Sequence, residues 1–386
     1  MVRFIHTSDW HLGRLLYNRS LLEDQAAVLN ELVALIDQTS PHALVISGDV
    51  FDRSFPPEGA VTLFDRFLEQ VADQRKLPVF LIPGNHDSCE RLGFAAKLLR
   101  HRGVTIFARL EDALSPVRLV GDDGVEVLVY GIPFVEPLLT ARFLNKPEIT
   151  TPDEAIRALC RVMLEKKADS APAVLLCHAF VAGSEGSESE RDLFIGGSSV
   201  VDASAFSGFS YTALGHLHKP QSAGSVSIRY SGSLLAYSKS EVSHRKSVTE
   251  VCIDKDGKVQ LQLHELKVLR ALRYVEGELQ ELLRNAAIDP RPDDYIIAGY
   301  TDTGAVVDAY SQLRQSYCHL LHITRAGAFM PDSSPSLERQ RQREHLTELE
   351  LFSEFFSSVA GQELNDDERE DLINSLNELE TLERRA

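Results

Sequence analysis

The chain has 386 residues, 44% of them hydrophobic and 25% charged, with a formal net charge of −17. That is the composition of a soluble globular protein of two or three domains, because one hydrophobic core rarely serves so long a chain. No apolar run reaches about 18 residues, which excludes a membrane-spanning helix, and the negative charge on its face speaks against a nucleic-acid binder. The charge is uneven, however. From Glu344 onward there are thirteen acidic and three basic residues, so the tail carries most of the excess. Five scattered cysteines without a CxxC pair argue for a reducing cytoplasm rather than a disulfide framework or zinc–thiolate site. An opening strand from Val2 leaves no room for a secretory leader.

In chain order, RFIHTSD reads as a strand, followed by helical spacing of apolar residues from Leu21 to Ile36. ALVISGDV is a second strand, AVTLFDRFLEQVADQ a helix, and VFLIPGNHD a third strand. RLGFAAKLLRHRG then reads as a helix and VTIFA as a strand. Strands alternating with helices of this length predict right-handed crossovers and a largely parallel, buried sheet. VRLVGDDGVEVLVYGIP is a hairpin-like pair turned at Asp122-Asp123-Gly124. AVLLCHAF, YTALGHLH and SIRYSG are further strands, and SVTEVCIDKDGKVQLQLHEL is a second hairpin, turned at Asp256-Gly257. The expectation is an α/β (α+β) chain: a mixed sheet or two packed sheets flanked by helices. From Lys267 the pattern becomes a small βαβαβ unit, and MPDSSPS is a linker. Beyond it Leu349, Phe352, Phe355, Phe356 and Val359 share one helical stripe. A second amphipathic helix follows, with Asp366 as its cap.

Several strands end in metal-ligand residue types: Asp9 and His11; Asp49 and Asp52; Asn85, His86 and Asp87; His178; His216 and His218. Ligands converge at the carboxyl ends of parallel strands, and residues two apart on a strand face one side. Any one segment reads more readily as an ordinary polar residue, but the set has no simple packing explanation. Gly48, Gly84 and Gly215 permit sharp turns or close approach. Imidazole, carboxylate and amide oxygen without thiolate suit manganese, iron or zinc, and magnesium less well. Two ions about 3.5–4 Å apart would clamp a phosphoryl group and activate water. Asp49, on an expected central strand, is the natural bridge between them.

At these residues the sequence resembles the calcineurin-like metallophosphoesterases. Their motifs DxH, GDxxD, GNH(D/E), H and GHxH occur in order from Asp9 to His218. More narrowly, HTSDWHLG, GHLH, the βαβαβ unit and the C-terminal helices resemble the SbcD-like nuclease subunits. The resemblance implies a two-sheet sandwich nuclease domain at 1–266, a DNA-capping domain at 267–329, and a linker with C-terminal helices at 330–386. It gives one metal Asp9, His11, Asp49 and His218, and the other Asp49, Asn85, His178 and His216. His86 would protonate the leaving oxygen or steady the scissile phosphate, with Asp52 orienting it. Two divalent ions are implied, manganese being the expected one.

The resemblance also implies hairpin endonuclease and 3'-5' double-strand exonuclease activity in repair, recombination and replication. The implied partners are DNA and the ATPase SbcC, in a heterotetramer, with two nuclease subunits paired through helices of the first domain. The C-terminal helices would dock on the coiled coil of SbcC, although they could equally cover their own core. Arg270, Arg273 and Arg325 would help hold DNA, or their domain merely packs. Arg53, Arg14, Lys219 and Ser231-Gly232-Ser233 are loosely expected at a phosphate. Asp87 reads either as a partner of a ligand or, preferably, as the N-cap of the helix after it. A phosphatase or cyclic-nucleotide phosphodiesterase shares the motif core, and a non-enzymatic scaffold would have no reason to keep every ligand.

Overall fold

A computed structural model of the chain describes residues 1–134, 136–167, 169–190, 200–302, 306, 308–325, 353, 369 and 372. Of the expected C-terminal helices only Ser353, Arg369 and Leu372 are described, and Phe352 and Phe355 lie outside the described residues. The chain divides into two compact units, Met1–Arg273 and Tyr274 onward.

In chain order the strands of the two large sheets of the larger unit are β1 (Val2–Thr7), β2 (Ala43–Ser47), β3 (Val79–Ile82), β4 (Val104–Ile106), β5 (Val117–Val120) and β6 (Glu126–Ile132). They continue with β7 (Ala173–His178), β8 (Tyr211–Gly215), β9 (Gln221–Ala223), β10 (Ser225–Tyr230), β11 (Ser247–Ile253) and β12 (Val259–Glu265). One six-stranded sheet runs β12-β11-β1-β2-β3-β4 and the other β9-β10-β8-β7-β6-β5. β1 to β4 are mutually parallel, and so are β6, β7, β8 and β10. Both expected hairpins form, with Gly124 and Gly257 at positive φ in their turns.

Side-chain alternation explains how the sheets stack. Val2 and Phe4, Ala43 and Val45, and Phe80 and Ile82 point inward from the first sheet. They meet Val127 and Val129, Val174 and Leu176, and Tyr211 and Ala213 from the second. The same alternation puts Ser47 and His178 at the end of this shared core. Helix α1 (Leu22–Thr39) buries Val28, Leu29, Leu32 and Ile36, and α2 (Glu58–Leu68) buries Ala60, Phe64 and Phe67. α2 runs on as π-helix through Gln74. Trp10, fully buried, meets the rings of Phe64 and Phe67 edge-on at 6.2 and 5.0 Å, which ties the loop after β1 to α2. On the outer face of the second sheet lies α3 (Pro152–Lys166), started by a Thr151–Glu154 capping box and burying Leu159, Cys160 and Met163.

The segment RLGFAAKLLRHRG differs from the single helix expected. It forms two short turns, Cys89–Leu92 and Ala96–Arg100, broken by Ala95 at φ 57°. Gly93 packs so closely on Ala108 and the Cys89 carbonyl that a Cβ there would lie 2.7 and 2.6 Å from them. The chain therefore turns at that contact instead of continuing.

The second unit has β13 (Leu272–Gly277, entering from the first unit), α4 (Leu279–Ala287), β14 (Tyr295–Tyr300), α5 (Ala309–Arg314) and β15 (Leu320–Arg325). The order is the expected βαβαβ, with the sheet running β13-β14-β15. Leu279, Leu282, Ile296, Ala298, Leu313 and Leu320 make its core. Among the described residues no helix is long and apolar enough to cross a membrane.

Candidate metal centre

The site forms where the parallel strands of both sheets end, beyond the shared core. Asp9 and His11 follow β1, Asp49 and Asp52 follow β2, and Asn85 and His86 follow β3. His178 is the last residue of β7, and His216 and His218 follow β8. Asp9, His11, Asp49, His86, His178, His216 and His218 are all buried, each 6% exposed or less. Four of them are held at positive φ, at 54° (Asp9), 47° (His11), 51° (Asp49) and 108° (His216). Such backbone costs of order 1–3 kcal/mol per residue and collects at functional sites. The loops need glycine at their crossing points. A Cβ on Gly84 would fall 2.2 Å from Asp49 Oδ1, and one on Gly215 would fall 1.9 Å from the Ser47 carbonyl.

Asp49 is the hub. Its Oδ2 lies 3.6 Å from Nε2 of both His11 and His178, and 3.9 Å from Nε2 of His86. Its Oδ1 accepts the His86 backbone N–H at 2.9 Å. Asp9 Oδ2 accepts from Ser8 Oγ at 2.6 Å, and its Oδ1 from the His216 N–H at 2.9 Å. Ligand atoms of Asp9, His11 and His218 lie within 4.8 Å of one another, and so do those of His11, Asp49 and His86, and of Asp9, Asp49 and His178. His216 meets this group through its ring, 5.5 Å from that of His178.

Three imidazoles have Nδ1 taken and Nε2 turned inward. His178 Nδ1 donates to the Ser47 carbonyl at 2.9 Å, and His86 Nδ1 to the Asp52 carbonyl at 2.7 Å. His218 Nδ1 faces Ser189 Oγ at 2.6 Å and Glu241 Oε1 at 3.2 Å. A neutral imidazole that donates from Nδ1 keeps a lone pair on Nε2. Yet His178 Nε2 lies 2.9 Å from Asn85 Oδ1, and His218 Nε2 lies 3.0 Å from His11 Nε2. His11 Nδ1 is buried without a hydrogen bond. Lone-pair atoms gathered this closely, away from water, are satisfied by cations.

The electrostatics agree. Burial and then the neighbouring Asp49 push the Asp9 carboxyl well above its ordinary range, and burial raises Asp49 to about 6. Burial lowers His178 and His218 to about 4, and burial and neighbouring imidazoles take His11 and His216 well below their ordinary value. The imidazoles are thus neutral, as ligands must be. Divalent cations beside Asp9 and Asp49 would keep both carboxylates ionised. The donor set fits two divalent cations.

Asp52 departs from expectation. The main-chain carbonyl, not the carboxylate, holds His86. The carboxylate instead meets Arg14 at 3.3 Å and lies 3.7 Å from His11 Nδ1. The β2 loop turns its carbonyl toward His86, and Arg14 draws the acid to the other side. Asp87 is not the helix cap, because Ser88 accepts the capping N–H of Arg91. Its carboxylate accepts the N–H groups of Val50, Phe51 and Gly84 at 3.1, 2.9 and 3.0 Å, bracing two ligand loops together. Burial and the Asp49 charge raise it to about 7.

Ser231 and Ser233 are buried and bond internally, to the carbonyls of His6 and Leu235. Lys219 pairs with Glu185, and Arg270 with Glu23 and Asp24 of α1. Arg325 donates to the Asp302 carbonyl, and Arg53 is exposed.

Sequence reasoning passed over several supports. Gln25, 1% exposed, donates to the His11 carbonyl at 2.7 Å and accepts from the Gly13 N–H at 3.0 Å. Tyr237 lies edge-on to His11 and His218 at 5.5 and 5.6 Å, and the Arg14 guanidinium sits 4.9 Å over its ring. Glu241 and Lys246 stand behind His218. A polar residue on an otherwise apolar helix face was the available signal for Gln25. The others sit on loops with no period to betray them.

A sandwich with this centre at its strand ends defines a metal-dependent phosphoesterase. The chain belongs to the calcineurin-like phosphoesterase family, which it matches over residues 2–220. Residues 268–360 match a second family, described as the type 5 capsule protein repressor C-terminal domain. The SbcD component of nuclease SbcCD from Staphylococcus epidermidis is 28% identical over 364 residues, spanning 94% of this chain and 95% of that protein. The expected likeness to an SbcD-type nuclease component therefore runs through both units.

Among solved structures, TT1561 of Thermus thermophilus is similar over 68% of this chain and 98% of its own, at 16% identity and TM-score 0.39. A dimetal phosphatase from Danio rerio is similar over 69% of this chain and 98% of its own, at 13% identity and TM-score 0.37.

Proposed function

We propose that the chain is the DNA nuclease subunit of an ATP-dependent complex of SbcCD type. It opens hairpins endonucleolytically and degrades double-strand ends as a 3'-5' exonuclease, in DNA repair, recombination and replication. The observation that carries this is the set of metal-ligand side chains gathered at Asp49 Oδ2, with Nε2 of His11 and of His178 each 3.6 Å away, in a chain similar along nearly its whole length to a nuclease subunit.

Asp9, His11, Asp49 and His218 would hold one ion, and Asp49, Asn85, His178 and His216 the other, both manganese. When bound, the ions supply Lewis-acid activation of the phosphodiester and of the attacking water. The protein does the rest. Asp87 and Gln25 hold the ligand loops in register. Gly84, having no Cβ, lets its loop pass against Asp49, and Asn85 and His86 beyond it meet different partners. His86, its Nδ1 fixed on the Asp52 carbonyl, presents Nε2 beside Asp49. From there its protonated form delivers the Nε2 proton to the leaving oxygen, or the ring steadies the scissile phosphate. Asp52 acts on His86 through its backbone, and its carboxylate anchors Arg14 beside the centre.

The partners are DNA and the ATPase SbcC, in a cytoplasmic heterotetramer built on a pair of nuclease subunits. The small unit serves as the DNA-holding module.

The test offers manganese with labelled hairpin DNA, blunt duplex and a small phosphomonoester, to the chain with and without SbcC. DNA cleavage is expected from the chain alone, and processive end degradation only with SbcC and ATP. Cleavage of the phosphomonoester alone would make this a phosphatase, and no turnover of any substrate would make it a scaffold.

A further inference from the structure

His218 rests on a buried pair that no motif contains. Glu241 ends a short 3-10 turn, Lys239–Glu241, and is fully buried. Lys246, just before β11, has its side chain 6% exposed. Glu241 Oε1 lies 3.2 Å from His218 Nδ1 and accepts from Ser238 Oγ at 3.1 Å and from Ser189 Oγ. Ser189 Oγ also lies 2.6 Å from the same imidazole nitrogen. Glu241 Oε2 accepts from the Lys246 ammonium, whose other bonds go to the His218 carbonyl and Ser233 Oγ, both at 2.9 Å.

Stability does not explain this arrangement. An apolar pair of the same volume would often serve as well, because desolvating two ions offsets most of their attraction. What the pair does is directional. A carboxylate on Nδ1 fixes the imidazole as the Nδ1–H tautomer and leaves the Nε2 lone pair facing Asp9 and His11. The ammonium grips the same residue by its carbonyl, so ring and backbone are both fixed. A carboxylate buried behind His218 would add negative charge beside the centre, and the Lys246 ammonium balances it.

We infer that Glu241 and Lys246 are positioning residues of the metal centre, setting the tautomer and aim of His218 toward one of the two ions. This rests on the proposed role of His218 as a ligand.

Two measurements test it: the His218 tautomer in the metal-free protein, by long-range 1H–15N correlation, and Mn2+ affinity at each site, by calorimetry. The wild-type ring is expected as Nδ1–H, and an Nε2–H ring overturns the inference. Glu241→Ala is expected to mix the tautomers and weaken one Mn2+ site by about 10–100-fold, the other little. Glu241→Gln, which keeps an acceptor, should recover most of that loss. Wild-type affinity at both sites in Glu241→Ala overturns the inference. If Glu241→Ala fails to fold, the double variant Glu241→Gln/Lys246→Met keeps shape and acceptor without either charge. It is expected to stay Nδ1–H and lose affinity several-fold, and unchanged affinity overturns the inference. His218→Ala separates the two levels. If it loses one ion while the Glu241 variants bind both normally, only this inference fails. If it binds both normally, the proposed ligand set fails.

Discussion

Asn85 and His86 are neighbours in sequence with different surroundings. Asn85 Oδ1 meets His178 Nε2, whereas His86 meets the Asp52 carbonyl and approaches Asp49. The motif spacing made both legible as site residues but left their division of labour to the resemblance. Asp49→Ala removes the hub and is expected to abolish stoichiometric Mn2+ binding. His86→Ala is expected to keep both ions and lose most DNA cleavage. Calorimetry beside a cleavage assay checks this, and unimpaired cleavage by His86→Ala rejects the assignment. Acid should release the metal through the carboxylates rather than the imidazoles. His178 and His218 stay neutral down to about 4, whereas Asp49 takes up a proton near 6. Since only the carboxylate form binds metal, affinity is expected to rise with pH through about 6, and to go on rising while Asp9, held well above its ordinary range, still carries a proton. Mn2+ titrations in buffers of different ionisation enthalpy should show more proton release at pH 6 than at pH 8. Glu241 escaped sequence reading because SEVSHRKS looks like a solvated charged turn, although it folds back onto His218 from 23 residues away.

At the scale of elements, the strands were legible because their apolar runs end abruptly in chemistry-bearing residues; the aim of those residues was not, because most lie past the strand ends, and loops holding Asp9, His11, Asp49 and His216 at positive φ bring them into one cleft, not the strand alternation expected. α3 was readable too, through Thr151, Pro152 and Glu154, but it carries no motif and was passed over. The break at Ala95 was not readable, since it depends on Gly93 meeting Ala108, a contact from another part of the chain. The loop crossing after β2 and β3 is the most constrained junction of this kind. A Cβ at Gly84 would lie 2.5 Å from the Asp49 backbone nitrogen as well as against its carboxylate. Backbone cannot yield as a flexible side chain does, so Gly84→Ala must part the two loops and break the Asp87 brace. Overpacking of this kind costs about 1–3 kcal/mol. Gly84→Ala is expected to lower the melting temperature and weaken Mn2+ binding, while Gly277→Ala, whose nearest neighbour would be the end of the Glu281 side chain at 3.3 Å, leaves binding unchanged. Normal binding by Gly84→Ala would show that the crossing is looser than its geometry.

For the whole molecule, the net charge is the feature that first argued against DNA. Its distribution removes much of the objection, because thirteen acidic residues lie in the last stretch from Glu344. Two buried carboxylates at the centre would be offset by divalent ions. The motifs end at His218, so nothing in them requires the acidic tail for phosphodiester chemistry. The helix that the sequence predicts there, acidic with one apolar stripe, would be poorly suited to lie on DNA and well suited to a protein groove, where aromatic side chains would anchor it. Phe352 and Phe355 lie at the middle of that stripe in sequence. Replacing both, Phe352→Asp with Phe355→Asp, would put two charges into the apolar face. The expected outcome is loss of co-purification with SbcC, while Mn2+ binding and cleavage of short labelled DNA by the isolated chain stay at wild-type level. A pull-down run beside the cleavage assay separates the alternatives. An intact complex would remove the tail from the partner interface. Loss of both properties would show instead that the stripe covers the protein's own core.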